Sequence, residues 1–218
     1  MTEIQKFLFK HQDLKYRDFH SKIVNNIPKE AIVGVRLPII KNYAKILTKE
    51  NKHKEFVNSL PHRYYDEYAL HIQILNLLKN YEEFVGELDK ILPYLNNWAL
   101  TDMVNSDVIE LEKEKFINKI HEYLSSTHPF TIRLGIVLLK SHYIKGKEDI
   151  TPYIEMVVNI KSNEYYVNMA IAWFLQSAYV YHKETLEKYI NTEYLSPWVY
   201  KKTLQKIKES RVTRKFNE

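Results

Sequence analysis

Three features of the sequence predict an all-α chain arranged as an α-solenoid. Glycine is scarce, with 4 in 218 residues, so few turns need positive φ and a β-rich protein is disfavoured. Apolar residues recur at helical spacing: Ile132, Ile136, Leu139 and Tyr143 stand at i, i+4, i+7 and i+11. The 7 prolines fall tens of residues apart and cut the chain into segments of helix length.

The elements follow in order. Residues 3–11 and 13–25 precede Pro28. The segment 37–50 opens at "RLPII", where a first helical turn accepts Pro38, and 53–59 stops before Pro61. In 64–79, "DEYALHIQILNLLKN" lines up Tyr68, Ile72, Leu75 and Lys79, with Ala69 and Leu78 beside them. Residues 81–94 run to Pro93, and 98–109 and 113–125 follow. Pro129 in "HPFTI" starts 129–144, and Pro152 lies near the start of 150–161. The segment 164–180 is apolar on more than one face, with Ala170, Trp173 and Ser177 next to Val167, Ile171 and Phe174, as in a helix packed on two sides. Residues 183–191 and 196–209, the latter opening at "LSPWVY", complete the chain. Helix pairs recurring about every 35 to 45 residues suggest HEAT-like or armadillo-like repeats, with one helix of each pair lining a concave surface. A globular bundle is the alternative. With no long linker and no low-complexity segment, residues 1–218 read as a single domain.

Composition narrows the chemistry. A net charge of +5 permits a polyanionic partner without requiring one. The absence of cysteine excludes disulfides, thiolate nucleophiles and Cys-built zinc sites. The 9 histidines are scattered, and neither His62 with His71 nor His121 with His128 has the HExxH spacing, so no metal is expected. The N-terminus is charged within its apolar part, unlike a signal peptide, and no run of 18 apolar residues exists. A cytoplasmic protein with no membrane contact is expected.

Four places carry residues that a plain core does not require. In "NNWALTDMVNSDV", Trp98 precedes Asp102 by four residues, one helical turn, so the two share a face. Arg133 stands beside the core stripe, in line with Val137 and Lys140, and Trp173 sits in "MAIAWFLQS". Residues 200–215 hold seven Lys or Arg against one Glu. Each has a structural reading: Trp98 and Trp173 as core anchors, Asp102 as a partner of its helix start, Arg133 as an ion-pair residue, and the basic end as a solvated face.

Taken together, the motifs point further. "GVRLPIIKNYAK" at 34–45, "NWALTD" at 97–102, "RLGIVLL" at 133–139, "YYVNMAIAWFLQ" at 165–176 and "YKKTLQKIKES" at 200–210 occur in this order. The chain resembles the DNA alkylation repair family, the AlkD-type alkylpurine DNA glycosylases built from HEAT-like repeats, from about Gly34 to Arg211. "NWALTD" and "YYVNMAIAW" are the specific motifs. The resemblance implies stacked antiparallel helix pairs, a concave basic groove for duplex DNA, and hydrolysis of the N-glycosidic bond of N3- or N7-alkylated purines. It implies site roles for Trp98, Asp102, Arg133 and Trp173. Arg36, Lys41, Arg133, Lys140, Lys201, Lys202, Lys206 and Arg211 are then the candidates for phosphate contacts. A monomer with no cofactor is expected. The rival readings are a non-catalytic repeat protein that binds damaged or branched DNA, and a solenoid that binds protein.

Overall fold

The computed structural model describes residues 1–24, 26–146 and 149–210. Among these residues the chain forms α-helices and short 3-10 turns and no strand. It divides into two compact units, Met1–Glu112 and Lys113–Glu218.

The first unit contains α1 (Glu3–Lys10), α2 (Leu14–Ile23), α3 (Leu37–Lys49), α4 (His53–Val57), α5 (Tyr65–Leu75), α6 (Tyr81–Ile91), α7 (Trp98–Thr101) and α8 (Asp107–Leu111). α5 is its axis: α1, α3, α4, α6 and α7 all pack against it. Every residue of α5 but Tyr68 is buried, including Asp66, Glu67, His71 and Gln73. Buried polar groups are costly unless bonded, and most of these are. Asp66 accepts the amides of Val33 at 2.6 Å, Gly34 at 3.1 Å and Val35 at 2.7 Å, so it organises the "VGV" loop ahead of α3. Burial pushes the Asp66 carboxyl up and the amides pull it back. The loop needs glycine: Gly34 has φ of +92°, and a Cβ there would come within 2.5 Å of Arg17 Cβ. Glu67 accepts from the amides of Arg63 and Tyr64 and from Gln5 Nε2. His71 shares a 2.9 Å hydrogen bond with His62.

The second unit contains α9 (Lys113–Leu124), α10 (Pro129–His142), α11 (Thr151–Val158), α12 (Tyr165–Tyr181), α13 (Lys183–Glu187) and α14 (Pro197–Glu209). Here the solenoid-like layering is plain. α10 packs on α12 and α12 on α14, making a row of alternate helices, while α9 packs on α10 and α11 and α13 on α12. The short link between α9 and α10 makes that pair antiparallel. Gly135 lets the two helices approach, since a Cβ there would meet Leu124 Cδ2 at 2.8 Å. The core is built from Phe116 and Ile120 of α9, Leu134, Ile136 and Leu138 of α10, and Val167, Phe174 and Leu175 of α12. A buried Phe such as Phe174 contributes enough that truncation to Ala costs about 3–5 kcal/mol. Of the expected stripe, Ile136, Leu139 and Tyr143 are buried, and Ile132 is half-buried.

Several expected elements end early, with 64–79 observed as Tyr65–Leu75 and 183–191 as Lys183–Glu187, and one is broken within. The helix read over 98–109 breaks into α7 and α8, with an irregular link at residues 102–106. Asparagines cause the break: Asn97 caps α7, and the side chain of Asn76 bonds the chain on both sides of residue 104. No described helix is long and apolar enough to cross a membrane.

Candidate nucleic-acid interface

Asp102 stands at the end of a single helical turn. Asn97 Oδ1 accepts the Leu100 amide at 3.0 Å and so starts α7, and the Asp102 amide donates to Trp98 O at 3.0 Å and closes it. The i, i+4 relation of Trp98 and Asp102 therefore holds, but Asp102 occupies the C-terminal end of α7, not its first turn. A carboxylate at that end does not complement a helix dipole, so the helix-start reading of Asp102 does not apply. Thr101 Oγ1 lies 2.9 Å from Trp98 O and 3.2 Å from Asp102 Oδ1. Its single proton serves one of them at a time.

The segment after Asp102 is clamped from α5. Asn76 Nδ2 donates to Met103 O at 2.8 Å, and Asn76 Oδ1 accepts the Asn105 amide at 2.9 Å. Ser106 then caps α8, and Lys79 pairs with Asp107 at 2.7 Å. Two hydrogen bonds from one side chain hold the link in one course, which fixes where the half-buried Asp102 carboxylate stands.

Asp102 lines a groove of about 480 Å³, with Leu37, Lys41 and Lys45 of α3, Gln73 of α5, Asn76 at its C-cap, and Met103 and Asn105. Lys41 and Lys45 are exposed and four residues apart, so both ammonium groups lie on one face of α3. Trp98 is half-buried and not part of that lining. Its Nε1 donates to Ile23 O, at the end of α2, over 3.4 Å. Arg36 is exposed and paired: Nε and Nη2 each lie 2.9 Å from Asp13 Oδ2, and the guanidinium is 5.1 Å from the Tyr16 ring centre. The Tyr16 amide and then Arg36 hold the Asp13 carboxyl below its ordinary value.

In the second unit the candidates fall on the row α10–α12–α14. Trp173 is half-buried, and the Lys140 ammonium sits 3.6 Å from its ring centre. That is a cation–π contact between neighbouring helices. Arg133 is buried, with 3% exposure, and its Nη1 donates to Tyr166 O at 2.9 Å. The fold thus uses this guanidinium to tie α10 to α12. On α14, Lys201 is exposed and Lys202 and Lys206 are half-buried. Burial lowers the Lys206 pKa, and the charge of Lys202 lowers it further, while Glu209 raises it and Arg133 lowers it. Arg211 lies outside the described residues.

Lys45, Gln73 and Asn76 were not among the sequence candidates. Lys45 had a signal, four residues after Lys41 on one helix face. Asn76 had none, because its partners lie 27 and 29 residues further on. Among the described residues, no group of three or more His, Asp and Glu gathers as a metal site would.

No curated protein matches the sequence. A family model described as DNA alkylation repair enzyme matches residues 4–207, which takes in both units and all the candidate residues but Arg211. The chain therefore belongs to the DNA alkylation repair enzyme family.

Proposed function

We propose that this protein is a monofunctional DNA glycosylase that hydrolyses the N-glycosidic bond of cationic N3- or N7-alkylated purines in duplex DNA, acting as a monomer. The observation that carries the reading is Asp102, a half-buried carboxylate clamped in place on the wall of a groove that also presents Lys41 and Lys45. Lysines lining a groove suit phosphates, and an acid in the same lining suits a developing cation.

The chemistry needs little more. An alkylated purine is positively charged, so the base leaves neutral when the bond from C1′ to its nitrogen breaks and the electron pair goes to the base. The sugar becomes oxocarbenium-like. Asp102 stabilises that charge and orients a water, whose oxygen bonds to C1′ while its proton passes to the carboxylate and on to solvent. The products are a free alkylpurine and an abasic site. Trp98 and Trp173 favour cationic lesions through their ring faces, and Lys140, Lys201, Lys202 and Lys206 contact phosphates. Sequence preference is not expected from such contacts.

The test is incubation with methylated duplex DNA and identification of the released bases. Release of N3- or N7-methylpurine is expected. Asp102→Asn is expected to slow it by about 10²–10³-fold while the fold and DNA affinity are retained. Unaltered release by that variant removes the proposed role of Asp102. DNA binding with no release by the native protein would favour the non-catalytic alternative.

A further inference from the structure

The N-terminal ends of α10, α12 and α14 carry a ladder of rings. Centre to centre, Phe130 lies 5.6 Å from Tyr166, Tyr166 lies 5.2 Å from Tyr165, and Tyr165 lies 5.7 Å from Trp198. The ladder crosses three successive helices of the row at the end where each begins. Its outer members are open, Tyr165 at 56% exposure and Trp198 at 40%. Large rings left this accessible do not serve the core, which is filled by residues such as Phe116 and Phe174.

Cations continue the surface. The Lys202 ammonium is 5.7 Å from the Trp198 ring centre, one turn further along α14, and Lys206 follows after another turn. Two carboxylates stand near: Glu164, exposed at the cap of α12 before Tyr165, and Glu209, one turn beyond Lys206 on α14, where it accepts a hydrogen bond from Gln205 at 2.8 Å. A polyanion would therefore run on the lysine side of Trp198. Rings and lysines together match a strand that has both free base faces and phosphates. In a duplex each base face is covered by its neighbours, so an aromatic platform finds a partner only in an unpaired base.

We propose that this ladder is a stacking platform for unpaired bases, holding a short single-stranded stretch of DNA whose phosphates lie along Lys202 and Lys206. The proposal rests on the DNA reading for the nature of the polymer, and not on hydrolysis. Stacking on the exposed rings would be tolerant of sequence, because every base has a π face.

The test uses the full chain and fluorescence anisotropy with three labelled probes: an oligothymidylate, an abasic strand of the same length, and a duplex. The native protein is expected to hold the oligothymidylate more tightly than the abasic strand, which has the same phosphates and no bases. Trp198→Ala and Tyr165→Ala are each expected to weaken oligothymidylate binding by about 5- to 100-fold and to leave duplex binding unchanged. Trp198→Phe, which keeps an aromatic face, is expected to retain most of the affinity, and melting curves establish that each variant folds. Equal affinity for the thymidylate and abasic strands overturns the platform, as does an equal loss on all three probes. In either case duplex binding leaves the DNA reading standing. Failure of the native protein to bind any probe overturns both.

Discussion

The Lys140 ammonium rests 3.6 Å from the centre of the Trp173 indole, so the face of Trp173 expected to meet a cationic lesion already holds a cation of the protein. The pair joins α10 to α12 and keeps a charge at the indole when no DNA is bound. A cationic base must then use the opposite face or displace the lysine. A lysine so placed also stands ready to follow a phosphate.

A double-mutant cycle measures this coupling. Lys140→Met keeps the stem and removes the charge, and Trp173→Leu removes the ring. Denaturant unfolding of the two single variants and the double is expected to give a coupling of about 0.5–2 kcal/mol. Strict additivity would show that the contact contributes nothing in solution.

Asn76 holds the chain on both sides of residue 104, which makes it the proposed positioning residue for Asp102. Asn76→Ala removes both the donor to Met103 O and the acceptor for the Asn105 amide, and is expected to lower stability by about 1–3 kcal/mol. Asn76→Asp keeps the acceptor but sets a charged oxygen against Met103 O in place of the donor, so it is expected to be at least as destabilising. If the link carries Asp102 as proposed, base release falls in both variants, with KM changing less than kcat. Equal kcat in all three would show that the clamp serves stability alone.

Salt dependence reports the phosphate contacts. The logarithm of duplex affinity is expected to fall linearly with the logarithm of salt concentration. Alanine at Lys201, Lys202 or Lys206 should each reduce the slope by about 1. A slope unmoved by all three substitutions would place α14 away from the duplex.

Acid is expected to destabilise the first unit through its histidine pair. Burial lowers the pKa of His62 to about 4, and burial and then the charge of His62 lower that of His71 to about 3, both from an ordinary 6.5. These groups fold in the neutral form, so their contribution is fully present above pH 6.5 and is lost as pH falls from 6.5 through the folded values. Denaturation between pH 7 and pH 4 should show stability falling by at most about 1.4 kcal/mol per pH unit for each proton taken up. Replacing both histidines by Phe and Leu should flatten that slope even if the baseline stability changes.

Local signals in the chain account for most of the helices. The apolar pattern predicts 164–180 and, together with the first-turn Pro129, 129–144, and the helices observed are Tyr165–Tyr181 and Pro129–His142. Trp98 and Asp102 were legible as a pair because their spacing is a property of one turn. The family was legible for a similar reason, since motifs such as "NWALTD" are contiguous.

The break at residues 102–106 was not legible. Apolar spacing in "WALTDMVNSDVIEL" favours one continuous helix, and the side chain that opposes it, Asn76, comes from another helix. Arg133 shows the same limit: its guanidinium suits a phosphate contact, and only the fold shows that its Nη1 donates to the backbone carbonyl of Tyr166, 33 residues away. Asp66 had no sequence signal at all until the "VGV" loop folded against it. Helix formation depends on neighbours within a turn, so the linear order of residues is enough to specify it. Which polar atoms meet depends on chain segments brought together only by packing, and the course of the chain around Asp102 is set at that level.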